Sequence, residues 1–436
     1  MKINPAPSPE DLDSLVIEQT LEDWVEGKCL EWRRFYSANY QTKHEEYDRL
    51  WRGIWAAEDK TRESERCKLI APALQQAVES AVAEVEEATF GRGKWFEMRD
   101  DANDPEKEDV VATRDLLLED FADAKVRKAV GEILINAAVT GTGIGEVVLE
   151  TVKRHRPASQ EVMDGAMIAG GVETKEVIRV KLIPVNRNNF LIDPVATCIE
   201  DALGCAIERY VPTHAVTSLQ EQGVYRDCSI GTAVNETELL PDQNLDVEGQ
   251  DKVKLVKYCG LVPRTLLHEA IEALEEDENY VSLRDLEDEA GVDDDEKTDE
   301  SEYVEALVVI GNGKLLKAEE NPYMMEDRPI VAFQWDIVPG RFDGRGVCEK
   351  GYNSQKALDA EMRARVDALA LAIHPMMAID STRIPRGHKP SIRPGKTLFT
   401  VGNPNESLMP FNFGQVSQIT FAQSAELQKM VQQATG

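Results

Sequence analysis

One helix sets the length scale of this chain. The segment from Ile337 to Val347 reads Ile-Val-Pro-Gly-Arg-Phe-Asp-Gly-Arg-Gly-Val, a turn rich in glycine and proline. From about Glu349 to Ile373 the pattern changes. Leu358, Met362, Val366, Leu369 and Ile373 recur on one apolar stripe, and Lys356, Asp359, Glu361, Arg363, Arg365 and Asp367 occupy the other sides. That spacing predicts an amphipathic helix. At 1.5 Å per residue its roughly 25 residues make a rod of about 37 Å. Pro375 ends it, because the residue before a proline is driven out of the helical region.

The most apolar stretch, Ala368 to Ile379, is interrupted by His374 and Pro375 and falls well short of the roughly 20 residues a bilayer span requires. Pro5, Pro7 and Pro9 with no apolar core behind them do not resemble a secretory signal. Acidic residues outnumber basic ones by 80 to 49, a formal charge of −31. Such a chain is a poor candidate for a sequence-reader of DNA, whose affinity comes mainly from cations neutralising phosphates. Hydrophobic residues at 42% are nevertheless enough for a folded core. Cys29, Cys67, Cys198, Cys205, Cys228, Cys259 and Cys348 are odd in number, widely spaced and lack a C-x-x-C pair. Reduced thiols of a cytosolic protein fit better than a disulfide framework or a zinc site.

The amino-terminal hundred residues read as amphipathic helices. Trp24, Trp32, Phe35, Tyr36, Tyr40, Tyr47, Trp51 and Trp55 crowd the positions between 24 and 55, interleaved with Glu22, Asp23, Glu26, Glu31, Glu45, Glu46 and Asp48. Base stacking needs a cationic groove, so helix packing or a subunit interface is the better reading of these rings. Ile70, Leu74, Val78, Val82 and Val85 predict a helix over about 71–89, broken by Gly91 and Gly93. A third helix is expected from about Asp115 to Val139, with Phe121, Val130, Ile133, Leu134 and Ala137 on its buried side.

Thr-Gly-Thr-Gly-Ile-Gly (140–145) follows that helix and precedes the strand-like Glu146-Val147-Val148-Leu149. A phosphate cradle requires the opposite order, strand then glycine loop then helix. These glycines therefore predict a left-handed helix cap and a turn into a strand. Ile178, Val180 and Leu182 alternate with Arg179 and Lys181 as a half-buried strand does. Asn-Arg-Asn-Asn (186–189), Phe190-Leu191-Ile192 and Asp193-Pro194 come next, then a short helix expected between Pro212 and Gly223. Residues 252–345 read as β-rich: strands are expected at Val253–Tyr258, Tyr303–Ile310 and Pro329–Trp335, with Asn312-Gly313 as a hairpin turn.

Within that region lies an acidic block. From Glu269 to Glu302 there are 17 acids against Arg284 and Lys297. Asp293-Asp294-Asp295-Glu296 looks like part of a calcium loop, but Lys297 and Thr298 stand where a ligand and the turning glycine belong. A solvated excursion is the simpler reading; a surface that repels DNA or attracts a basic partner is the alternative. The opposite charge collects at Arg383, Arg386, Lys389, Arg393 and Lys396, among prolines and glycines and with no acid from Ser381 to Gly402. A basic surface pairing with acidic neighbours is the plain reading, and a ring of cations touching phosphate is the sharper one. His44, His155, His214, His268, His374 and His388 form no metal-like pair, and G-x-S-x-G, H-E-x-x-H and G-x-x-x-x-G-K-[ST] are all missing from the sequence. No catalytic residue, cofactor or metal ligand is therefore nominated.

Residues 328–380, RPIVAFQWDIVPGRFDGRGVCEKGYNSQKALDAEMRARVDALALAIHPMMAID, carry a β-rich segment through a glycine-rich turn into a long helix with a polar start at Asn353 and Gln355. This arrangement resembles the portal, or head–tail connector, proteins of short-tailed bacteriophages. The helix–glycine–strand element at 115–150, the strand ending in Asp193-Pro194, and Leu398-Phe399 after Pro394-Gly395 extend the similarity to about two-thirds of the chain. The resemblance implies an α+β portal-like fold with a helical wing, a long stem helix and a β-rich clip, assembled as a dodecameric ring. On that reading the wing covers 1–202 and a first stem helix with its connection 203–251. The clip covers 252–345 with the acidic insertion at 269–302, and the long stem helix 346–374. Residues 375–436 form a basic loop returning into the wing, and a crown or barrel is expected beyond Gly436.

The implied role is a virion conduit at a capsid vertex, assembled in the host cytoplasm, for genome packaging and ejection. Its implied partners are terminase, a tail adaptor, the major capsid protein and double-stranded DNA passing without sequence-specific binding; no membrane is involved. Arg383, Arg386, Lys389, Arg393 and Lys396 become candidate channel contacts. Net negative charge suits a bore through which DNA slides, since each phosphate contact adds drag. Two other classes remain open from the residues themselves: an enzyme with a dispersed active site, and an acidic scaffold or chaperone that binds basic partners through 269–302.

Overall fold

The computed structural model describes residues 20–55, 67–91, 95–99, 108–157, 162–163, 166–167, 172–230, 252–275, 302–323, 327–373, 377–379, 408–410 and 418–433. The protein is α+β and divides into two compact units, one of residues 1–45 with 82–346 and one of 46–81 with 347–436.

Helix α1 (Leu21–Tyr36) starts where Thr20 Oγ1 accepts from Asp23 N, and a π-helical turn (Ser37–Gln41) joins it to α2 (Thr42–Trp51). Helix α3 (Ala73–Phe90) matches the spacing that predicted it. The single helix expected at 115–139 is two, α4 (Glu108–Asp123) and α5 (Val126–Thr140). Lys125 breaks it at φ 56°, and its carbonyl accepts from Lys128 N and Ala129 N to start the second helix. The break lets each half bury its own side. Phe121 packs on Trp95 and Phe96, whereas Ile133, Leu134 and Ala137 are buried in the core.

Helix α5 stops at Gly141, left-handed at φ 101°, whose N–H donates to Ala137 O at 2.8 Å. The chain then enters β1 (Thr142–Pro157), as the order of elements predicted. A hairpin carries it through β2 (Val162–Met163), β3 (Ala166–Met167) and β4 (Val172–Val185). A 3-10 turn at Arg187–Asn189 leads to β5 (Phe190–Ile192), β6 (Gly204–Pro212) and the short helix α6 (Thr213–Glu221). Strand β7 (Lys252–Pro263), helix α7 (Arg264–Glu275), and strands β8 (Tyr303–Gly311), β9 (Lys314–Glu320) and β10 (Ile330–Gln334) complete the first unit. Residues 269–275 of the acidic block are the last part of α7, and residues 276–301 lie outside the described residues.

Strands β5-β6-β7-β8-β9 form one antiparallel sheet, and β10-β1-β4 a second. The first runs across residue 252, since β6 pairs with β7 from Gly204↔Gly260 to Pro212↔Lys252. Both its faces are covered. Ala306, Val308 and Ile310 of β8 join Leu21, Val25 and Trp32 of α1 and Leu267 and Leu274 of α7. Leu307 and Val309, pointing the other way, join Ile207, Cys259, Val216, Ile144 and Phe342. This double burial suits the apolar run Ala306–Ile310, which follows Glu305 in the strand. The amino-terminal aromatics serve packing: Trp24 and Trp32 each lie 6.0 Å from the Tyr258 ring, edge-on and stacked.

The second unit is built on α8 (Val347–Ile373), with β11 (Met377–Ile379), β12 (Leu408–Pro410) and α9 (Gln418–Gln432) after it. Its packing corrects the expected stripe. Leu358 is buried, but Val366 and Leu369 are 42% and 52% exposed, and the side chain of Ile373 lies outside the described residues. The polar residues assigned to the outer sides instead grip the chain. Asp367 accepts from Cys67 N, Arg363 donates to Leu69 O, Asp359 accepts from Ala71 N, and Gln355 bonds both Ala71 O and Leu74 N. Four helical residues rise about 6.0 Å and two extended residues about 6.7 Å. Side chains at steps of four thus keep pace with an extended segment read every second residue.

In the first unit the Gly141 turn packs directly on the 340–346 turn. A Cβ on Gly141 would sit 2.2 Å from Gly344 O, in addition to its left-handed backbone. Gly141→Ala is expected to cost about 3 kcal/mol or more. Gly340→Ala, left-handed at φ 82° with nothing within 4 Å, is expected to cost only the backbone term of about 1–2 kcal/mol. Urea unfolding of both variants reads the difference.

Candidate functional site

The Asn-Arg-Asn-Asn run folds locally before it engages anything distant. Asn186 Oδ1 accepts from Asn188 N at 3.0 Å and caps a single 3-10 turn. The turn carries Arg187, which is 4% exposed, into the first unit's interior. There Nε and Nη2 donate to Asp343 Oδ1 and Oδ2 at 2.6 and 2.9 Å, and Nη1 donates to Phe190 O at 2.7 Å. The guanidinium also lies 4.3 Å from the centre of the Tyr36 ring. Beside it is a cavity of about 100 Å³ bordered by Tyr36, Tyr40, Arg187, Phe190, Arg341 and Asp343.

Burial opposes both charges, and their attraction outweighs it: Asp343 is held below the usual carboxylate range and Arg187 above its usual value. Tyr36 OH donates to Asn188 Oδ1 at 2.7 Å and lies 3.0 Å from His44 Nδ1. With the hydroxyl proton given to Asn188, the imidazole donates from Nδ1. Burial pushes His44 down to about 4; Asp343 draws it back up, while Arg187, Arg341 and Lys43 add to the fall. At neutral pH the ring is therefore uncharged. Both Asp343 oxygens are engaged by one guanidinium, so this arrangement fixes α1, the Arg187 turn and the 340–346 turn to one another.

A second buried carboxylate joins the two sheets. Glu146 of β1 meets Lys257 of β7 at 2.9 Å and Arg209 of β6 at 2.5 Å. Burial works against the Lys257 charge, and Glu146 more than restores it, leaving the ammonium above its usual value. The seven cysteines are free thiols, and burial pushes those of Cys29, Cys259 and Cys348 up to about 12. These three act as packing groups at neutral pH.

The expected channel residues Arg383, Arg386, Lys389, Arg393 and Lys396 lie outside the described residues, as do His374, His388 and the calcium-like 293–298. His44, His214 and His268 stand on α2, α6 and α7, apart from one another in the chain. Among the described residues no group of three or more His, Cys, Asp or Glu is disposed to hold a metal ion. Likewise, among those residues no helix is long and apolar enough to cross a membrane. Sequence reasoning missed the Arg187–Asp343 pair. The turns carrying its members were visible, but a separation of 156 residues leaves no periodic signal linking them. No protein-family model matches the chain, and comparison with curated proteins gives no match.

Asp343→Asn leaves the buried guanidinium without its counter-charge and is expected to cost about 3–5 kcal/mol. The double variant Arg187→Met/Asp343→Leu should recover part of that loss in a urea-unfolding double-mutant cycle. A pH series tests His44 separately. The unfolded imidazole takes its proton near 6.5 and the folded one near 4, so its stabilising contribution is complete above pH 6.5. It is lost as pH falls toward 4, by about 3 kcal/mol in total. His44→Gln should flatten that slope relative to the wild type within the same window.

Proposed function

We propose that this chain is the subunit of a phage portal ring, a conduit at a capsid vertex for packaging and ejecting DNA and a platform for terminase and a tail adaptor. The observation that carries the reading is on α8. This 27-residue helix leaves a glycine-rich turn and presents Val366 and Leu369 uncovered on the isolated chain. In a ring, the neighbouring copy supplies the missing cover. The order of elements supports the same reading: a β-rich region, the turn and then the long helix, with the short α6 upstream as the other stem helix. The net charge of −31 suits a bore that must not grip the duplex. Translocation would draw its energy from a separate motor, in keeping with a sequence that lacks a phosphate-binding loop.

Light scattering or native mass spectrometry tests the reading on the 48.7 kDa chain. A species of several hundred kilodaltons, annular in negative stain with a central hole, is the expected result. A monomer at every concentration, together with failure to form annuli alongside the major capsid protein, would refute it. Val366→Asp/Leu369→Asp should dissociate the particle with little change in far-ultraviolet circular dichroism, because both positions are already exposed in the single chain.

A further inference from the structure

The cavity beside Arg187 is bordered by donors that its own wall does not use up. A guanidinium carries five N–H groups. In Arg187 three are engaged: Nε and one N–H of Nη2 on the two Asp343 oxygens, and one N–H of Nη1 on Phe190 O. One N–H on each of Nη1 and Nη2 therefore has no acceptor among the described residues. Donors of a buried charged group are costly to leave without one, and the cavity of about 100 Å³ lies against this same side chain. Tyr40 adds a third donor. It borders the cavity half-buried, its ring stacked 6.4 Å from that of Tyr36, and its hydroxyl makes no hydrogen bond among the described residues.

The acceptors on the wall are already committed. Asp343 gives both oxygens to Arg187, and Asp193 gives Oδ1 to Val195 N at 3.1 Å and Oδ2 to Leu203 N at 3.4 Å. Arg341, whose Nη2 donates to Gly344 O at 3.3 Å, brings a second guanidinium to the wall. Its charge is felt at both Asp343 and His44. Much of the remaining lining is apolar, from Phe190, Leu191, Ile192 and Pro194, and Phe35, 41% exposed, marks where the cavity meets solvent. Donors set in an apolar wall select a ligand with acceptor atoms at one end and little else that needs water. The volume admits only a few heavy atoms, since ordinary small-molecule sites hold roughly 300 Å³ or more.

We propose that this cavity binds one carboxylate group, held by the two spare N–H groups of Arg187 and the hydroxyl of Tyr40, with a short apolar stem directed toward Phe35. A carboxylate is favoured over a neutral carbonyl because hydrogen bonds between ionised partners are about twice as strong. It is favoured over phosphate because its two oxygens match two donors on adjacent nitrogens, whereas further charged oxygens would face apolar side chains. A free small acid and an acidic side chain of a protein partner supply the same chemistry. The inference stands independently of the ring reading.

Saturation-transfer NMR on the acetate methyl group, with thermal unfolding in acetate, tests it on the whole chain. Acetate is expected to bind saturably and to raise the unfolding temperature with its concentration. Acetamide, its neutral isostere, should do neither at the same concentration and ionic strength. Tyr40→Phe removes only a hydroxyl, so unliganded unfolding should match the wild type while acetate affinity falls about tenfold. Arg187→Met/Asp343→Leu should abolish binding. An acetylated, amidated glutamate separates the two sources: affinity above that of acetate assigns the site to an acidic side chain, and affinity below it to a free acid. No acetate binding by the wild type, unchanged affinity in Tyr40→Phe, acetamide binding equal to that of acetate, or tighter binding of inorganic phosphate would each overturn the proposal.

Discussion

Backbone passes backbone at Gly141 and Gly344 with no room for a side chain on either. A Cβ on Gly344 would lie 2.5 Å from Gly141 O, and one on Gly346 would lie 2.6 Å from Ala138 O. The crossing is sealed by hydrogen bonds, Gly344 N to Thr142 Oγ1 at 2.9 Å and Trp335 N to Gly141 O at 2.9 Å. The end of α5, the start of β1, the end of β10 and the turn leading to α8 all take their places from it. Asp343, one residue before the crossing, is thereby aimed at Arg187, so the buried ion pair depends on a backbone approach that leaves no space for a Cβ.

From this crossing the first unit is organised by charge as much as by apolar area. Arg187–Asp343 fixes α1 and two turns, and Glu146 with Lys257 and Arg209 fixes one sheet to the other. Arg187 and Asp343 are both buried, and Glu146 is buried beneath the half-exposed Lys257 and Arg209. Removing a partner of any of the three therefore leaves a buried charge uncompensated, which is more costly than the pair's net contribution. The apolar core can accommodate small shape changes, whereas these pairs accept one geometry. Burial of His44 as a neutral ring beside Arg187 belongs to the same design: a second positive charge there would repel the first.

The second unit uses polar groups differently. Gln355, Asp359, Arg363 and Asp367 hold an extended segment by its backbone, atom by atom. The apolar residues of the same helix are left partly in solvent at Val366 and Leu369. Its amino-terminal half still buries Val347, Cys348 and Leu358. The proposed ring reading rests on the two exposed residues of the other half.

Local features of the fold were legible from the sequence because they depend on neighbours along the chain. Helix α3 follows from apolar residues at steps of three and four, the glycine cap at Gly141 from the order helix, glycine, strand, and β8 from the apolar-rich segment 303–310 that leads into the Asn312-Gly313 turn. The Asn312-Gly313 turn, with Asn312 at φ 47° and Gly313 at φ 79°, follows from the two residues that tolerate positive φ. Proline at 375 set the end of α8, which stops at Ile373. Three other features were decided only by tertiary structure. Lys125 breaks a helix that its own sequence would continue, because Phe121 and Ile133 are drawn to different neighbours. Arg187 finds Asp343 across 156 residues, where pairing depends on the glycine crossing rather than on any spacing. On α8, periodicity identified an apolar face and a polar face but not which one the chain would cover. Backbone amides and carbonyls of residues 67–74 needed partners, and an unsatisfied buried hydrogen-bonding group costs more than an exposed valine or leucine.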